Sequence, residues 1–211
     1  MSAKILQFGN PSRDQFDAIY GVLAGQGMLS KGLEAISTKI RIYLENPSQG
    51  DEVKAHIIEE ISVLLQVEDE LFFTSKFLEL ILPLGLFSPE NLEAFKASLN
   101  PNYQKYSAKV DDLVINMRSE LMRLMAILEK YSETLMQATR IEEFLQVAES
   151  AEHFAIRTNA LYALTLLAPN LSDDLRLETL ARVGKLATNH PMILQAQHDA
   201  IIALQSKKVN N

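Results

Sequence analysis

The chain has 211 residues, 47% hydrophobic and 22% charged, with no cysteine and a formal net charge of −7. That length and balance describe a globular chain able to bury a sizeable core, as one large domain or two small ones. They exclude disulfides, thiolate metal sites and a cysteine nucleophile, and they offer no basic stripe to displace counterions from phosphates, so nucleic acid is not expected as a ligand.

Helical periodicity runs through nearly the whole sequence, and strand alternation is almost absent. Ser12 and Gln15 have capping-box spacing ahead of a face formed by Phe16, Ile19, Tyr20 and Leu23, which fades at Gly25-Gln26-Gly27. Leu29, Leu33, Ile36, Ile40 and Leu44 make the next stripe, ended by the turn sequence 46–50. Asp51 is placed to cap a third helix with Ile57, Ile61, Leu64 and Leu65 inside and Glu52, His56, Glu59 and Gln66 outside.

Residues 70–87 carry eleven apolar side chains in eighteen, spread around almost every side, before Pro83 and Gly85 stop the helix. A helix apolar all round is normally central and buried. A partner-binding groove or oligomer interface is the second reading. Lys76, Glu79 and Pro83 interrupt the run too soon for a membrane span, and the start of the chain has no apolar run of signal-peptide length.

Ser88-Pro89-Glu90 opens a short helix that Asn100-Pro101 should close near Leu99. From Tyr103 to about Ala138 there is neither Gly nor Pro, and a stripe from Tyr103 to Leu135 predicts one long helix, with two helices and a kink near Ser132 as the alternative. Shorter helices follow at about 140–149, 153–168, 173–188 and 192–206, the third with Leu177, Leu180, Ala181, Gly184 and Ala187 inward. The expected fold is therefore all-α with eight or nine helices. Residues 1–138 form a helical bundle with a long helix at about 103–138, and 139–211 form hairpins packed on it.

One echo recurs at a 40-residue interval: Asn159-Ala-Leu-Tyr-Ala-Leu164 against Asp199-Ala-Ile-Ile-Ala-Leu204. Ala160, Ala163 and Leu164 align with Ala200, Ala203 and Leu204, with one further amphipathic helix between them. Over 153–206 this pattern resembles the HEAT and armadillo repeats, which stack helical hairpins into a solenoid. The resemblance implies a protein-binding scaffold without catalysis.

Candidate chemistry is sparse. His56 with Glu52, Glu59 and Glu60 has helical spacings that bring imidazole and carboxylates together, but no pair of Glu-x-x-His motifs exists for a di-metal bundle site, so a solvated acidic face is expected. His198-Asp199 resembles the metal-binding dipeptide of HD-type phosphohydrolases, yet no aspartate follows Asp199 to complete that site. Glu149, His153 and Arg157 have the spacing of a surface ion-pair ladder. The glycines of 21–27 lack the Gly-Lys-Ser/Thr of a phosphate loop, and neither Gly-x-Ser-x-Gly nor His-Glu-x-x-His occurs. No catalytic, metal-binding or cofactor-binding residue is assigned, and no cofactor is expected.

Charge gives the strongest functional lead. From Glu45 to Glu79 there are nine acidic residues and two basic ones, Lys54 and Lys76. Glu52, Glu59, Glu68, Asp69 and Glu70, with Phe72 and Phe73 beside them, form the candidate docking surface for a protein partner with a basic surface. The leading expectation is a non-enzymatic interaction module, an adaptor or regulatory subunit, cytoplasmic by the lack of cysteine and of membrane segments. The alternatives are an acidic secretion-type chaperone holding a client segment in an apolar groove, and a helical-bundle enzyme or small-ligand binder. A homo-oligomer is compatible with each.

Overall fold

The computed structural model describes residues 11–46, 50–107, 115–132, 138–151 and 153–206. Every regular element among them is helical, and the fold is all-α with ten α-helices among the described residues. Contacts divide the chain into two compact units, 1–101 and 102–211. That is a partition by contact; the one read from sequence pattern, 1–138 and 139–211, cuts the chain at the start of the seventh helix.

The first unit opens with α1 (Arg13–Gly25), α2 (Lys31–Glu45) and α3 (Gly50–Leu64). The capping box forms as its spacing predicts: Gln15 N–H donates to Ser12 Oγ at 3.2 Å and Ser12 N–H to Gln15 Oε1 at 3.0 Å. Gly27, at φ 66°, supplies the left-handed turn that ends α1. The expected stripes are the buried ones, with Phe16 and Leu23 on α1, Leu33, Ile36 and Ile40 on α2, and Ile57 and Ile61 on α3. Asp51 lies in the first turn of α3, which begins at Gly50; a Cβ at Gly50 would meet the ring of Tyr43 at 2.5 Å.

Helix α4 (Leu71–Ile81) touches α1, α2 and α3 and buries Leu71, Phe77, Leu78 and Ile81, so the apolar run is the centre of this unit. A 3-10 turn over Leu82–Leu84 and left-handed Gly85 stop it. Three buried hydroxyls on α2 and α4, those of Ser37, Thr74 and Ser75, find no hydrogen-bond acceptor or donor among the described residues.

Helix α5 (Pro89–Ser107) corrects the sequence reading, because it runs straight through Asn100-Pro101. Proline inside a helix removes one amide donor and costs about 3 kcal/mol. The helix survives because side chains on both flanks are buried: Leu92, Phe95 and Leu99 before the proline, Tyr103 and Tyr106 after it. The boundary between the two units falls at this proline.

The second unit continues with α6 (Ile115–Tyr131), α7 (Ala138–Ser150), α8 (Phe154–Leu167), α9 (Asp173–Val183) and α10 (Pro191–Gln205). The long helix expected over 103–138 is thus represented by the end of α5 and by α6, which stops at Tyr131; the stretches 108–114 and 133–137 lie outside the described residues, as do residues 207–211. Helices α6, α7 and α10 all pack on α8, and α9 packs on α7 and α10. Ala160, Ala163 and Ala200 are fully buried, as close helix approach requires.

The face predicted for α9 is wrong. Leu177 is 61% exposed, and the buried positions are Thr179 and Val183. Thr179 can be buried because its hydroxyl donates to the Leu175 carbonyl at 2.6 Å, so no polar group is left unsatisfied.

Candidate functional site

The outer face of α3 is a single stripe. Glu52, His56, Glu59 and Val63 recur every three or four residues, so they share one side of the helix, opposite Ile57 and Ile61; all four are exposed, as is Gln66 in the turn that follows. Beyond the helix end Val67, Asp69 and, on the first turn of α4, Phe72 are also exposed. Val63 is 53% exposed and Val67 and Phe72 each 43%, so three large apolar side chains are interleaved with acids.

Of the seven candidate residues, Glu52, Glu59, Asp69 and Phe72 are exposed; Glu68, Glu70 and Phe73 are half-buried. One carboxylate oxygen of Glu70 is enclosed without a hydrogen-bond donor among the described residues. The Phe72 ring meets Phe73 edge-on at 5.7 Å, and the Lys76 ammonium lies over Phe72 at 5.6 Å. Neither Glu52 nor Asp69 has a basic partner among the described residues.

The His56 cluster does not converge. Its Nδ1 lies 3.8 Å from Glu59 with both side chains well exposed, while Glu60 turns away to pair with Lys39 on α2. Asp199 accepts from Gln195 at 2.8 Å on an exposed face. Among the described residues no three His, Asp or Glu side chains are grouped to hold a metal ion, and no helix is long and apolar enough to cross a membrane.

The ladder expected through Glu149, His153 and Arg157 does not form either. His153 caps α8, its Nδ1 accepting from Ala155 N–H at 3.2 Å. Arg157 donates to the Ala148 carbonyl at 2.8 Å. Glu149 is taken by Arg182 of α9, whose guanidinium also binds Glu142 two turns earlier on α7. Hydrogen bonds from Arg182 hold both carboxyls below the usual glutamate range, and the two glutamates in turn raise Arg182.

The second unit also holds a polar network that sequence spacing concealed. Tyr103 donates its phenolic hydroxyl to Glu143 at 2.7 Å; Arg140 binds the other carboxylate oxygen at 2.7 Å and lies 4.9 Å above the Tyr103 ring. Burial, then the adjacent carboxylate, push the phenol far above its ordinary value. Tyr103, Glu143, Gln146 and Ser150 line a cavity of about 280 Å³ with Arg118 and an apolar floor of Leu121, Met122 and Val147. Tyr103 and Glu143 are forty residues apart in the chain, so no local pattern announces the pair.

Comparison with models of known protein families, with curated proteins and with solved structures finds no match to this chain.

Proposed function

We propose that the chain is a non-enzymatic interaction module, an adaptor or regulatory subunit, that docks a partner with a basic and partly apolar surface on the outer stripe of α3. The observation carrying this reading is the exposure of Val63, Val67 and Phe72 between the acids Glu52, Glu59 and Asp69. Apolar side chains left in water beside like charges are costly for a monomer and favourable once a complementary surface covers them. Opposite charge on that partner raises the encounter rate and fixes its register.

The second unit supports the same reading. Its α7–α8 and α9–α10 pairs stack with α8 on α10 and α7 on α9. Arg157 and Gln197, forty residues apart, do similar work: Arg157 donates to the last-turn carbonyl of Ala148 on α7, and Gln197 to the carbonyl of Val183 at the end of α9 at 2.8 Å and to that of Leu186 just beyond it at 3.2 Å. We take these as two HEAT-like hairpins, a scaffold architecture. The chaperone alternative needs an open apolar groove along 70–87, but α4 turns most of its apolar side chains into the core.

Affinity capture with the full chain and with a Glu52→Lys, Glu59→Lys, Asp69→Lys variant tests the proposal. A basic protein retained by the first and lost by the second is the expected result; equal retention by the variant overturns the assignment of this face. A second reading, a small-ligand binder, is favoured by the Tyr103–Glu143–Arg140 network at its cavity. Its test is a ligand-induced rise in melting temperature that Tyr103→Phe abolishes.

A further inference from the structure

Helix α10 packs on α8 and α9 and buries Ile193, Ala200 and Leu204. Away from that side Leu194, His198 and Ile202 follow at four-residue intervals and form one ridge, with Gln195, Asp199 and Gln205 beside it. All six are exposed, Leu194 by 46% and Ile202 by 51%. Forty residues earlier on α8, the positions equivalent to His198, Ile202 and Gln205 are Thr158, Tyr162 and Thr165, all half-buried. Helix α6 packs on α8, and its Arg123 lies 5.8 Å from the Tyr162 ring. The face that a helix covers on α8 is therefore open on α10. It is also nearly free of charge: Pro191–Gln205 holds one acid, Asp199, and neither lysine nor arginine, in a chain of net charge −7. Gln195 donates to Asp199 at 2.8 Å within the helix, so covering this carboxylate leaves it a hydrogen-bond donor.

We propose that two copies of the chain associate through this face, α10 against the partner's α10 across a two-fold axis at His198. Leu194 and Ile202 lie four residues on either side of His198. An antiparallel pairing about that axis therefore sets each Leu194 against the partner's Ile202, twice over. A ridge spaced by four is the kind that interdigitates with its own copy. Two chains of net charge −7 repel wherever acidic faces meet, and here the like charge falls to one carboxylate on each side. A basic partner would find no counter-charge on α10 beyond Asp199, and an acidic one would find none. Two turns of one helix are a small contact beside the ~800 Å² per partner of a stable interface, so the dimer is weak and concentration-dependent. The surface lies within the second unit and does not depend on the α3 stripe of the first.

Sedimentation velocity of the full chain across the micromolar range should show a monomer–dimer equilibrium. Leu194→Glu and Ile202→Glu, at exposed positions that the fold does not use, should each raise the dissociation constant about tenfold or more. The chain has no cysteine, so His198→Cys introduces a single thiol. On mild oxidation that thiol should cross-link to the same position of a second copy far faster than the thiol of Asp174→Cys, the control on the exposed first turn of α9. A monomer at every concentration would overturn the proposal. The methyl groups of Leu194 and Ile202 would then be either open to a paramagnetic agent, leaving the face to another protein, or shielded from it by the chain itself. A dimer that ignores both glutamate variants, or cross-linking no faster at 198 than at 174, would overturn it as well.

Discussion

Arg182 on α9 and Glu149 on α7 are joined at two points, with Nε and Nη2 of the guanidinium each 2.8 Å from a carboxylate oxygen. Two parallel bonds fix orientation as well as distance, which a lysine at 182 could not do. Because Arg182 holds Glu149 and Glu142 below the ordinary value of 4.5, their stabilisation is present above that pH and is lost as pH falls through the depressed folded values. Wild type should therefore lose more stability than Arg182→Gln when urea midpoints at neutral pH are compared with those at about pH 3. Parallel acid profiles would show that the bridge contributes nothing, as exposed pairs often do.

Tyr103 makes the opposite prediction at high pH. Its folded value lies above the ordinary 10, so the stability it contributes is complete below pH 10 and declines as pH rises beyond it. Tyr103→Phe should cost about 1.5–3 kcal/mol at neutral pH, the range for a hydrogen bond to a charged acceptor. The variant should also flatten the alkaline fall in stability, read by denaturant titration at each pH. A neutral-pH cost near zero would mean the hydroxyl is not bound to Glu143.

Ala160 on α8 and Ala200 on α10, two helices that pack together, are both fully buried. Leucine at either site should destabilise by about 1–3 kcal/mol through overpacking. Ala181→Leu, on the exposed side of α9, is the control and should change stability by less than about 0.5 kcal/mol. Thermal denaturation of the three variants separates these cases.

Gln197→Leu should remove the side-chain donor to the Val183 and Leu186 carbonyls and cost about 1 kcal/mol. Arg157→Leu should act alike at Ala148. Native-state hydrogen exchange would show loosening at the last turn of α9 in the first variant and of α7 in the second. Loosening spread evenly over the unit would instead mark these as generic core contacts.

Legibility in the sequence followed the range of the interaction. The capping box of Ser12 and Gln15, the proline starts at 89 and 191 and the inner stripes of α1 to α3 are local patterns, and the structure repeats them. Pro101 misled because local rules forbid what burial on both flanks sustains. Leu177 misled because hydrophobicity alone assigned α9 its face, while a threonine that bonds its own helix was free to go inside. The exposed stripe Glu52, His56, Glu59 followed from helical spacing. Val63 and Val67 beside it did not, since an apolar residue read from sequence is taken as core. The Tyr103–Glu143 and Arg182–Glu149 pairs join distant helices, and only packing reveals them.

The central claim is that the α3 stripe docks a basic partner, and association kinetics of the captured partner test it most directly. Steering by exposed charge acts on the on-rate and fades as the Debye length shrinks from about 10 Å at 0.1 M salt to about 3 Å at 1 M. The measurement is the association rate of that partner with wild type and with the Glu52→Lys, Glu59→Lys, Asp69→Lys variant across this range. The account predicts markedly slower association of the variant at low salt, with the two rates converging at high salt. Equal rates at low salt, with the variant's helical circular dichroism unchanged, would contradict it.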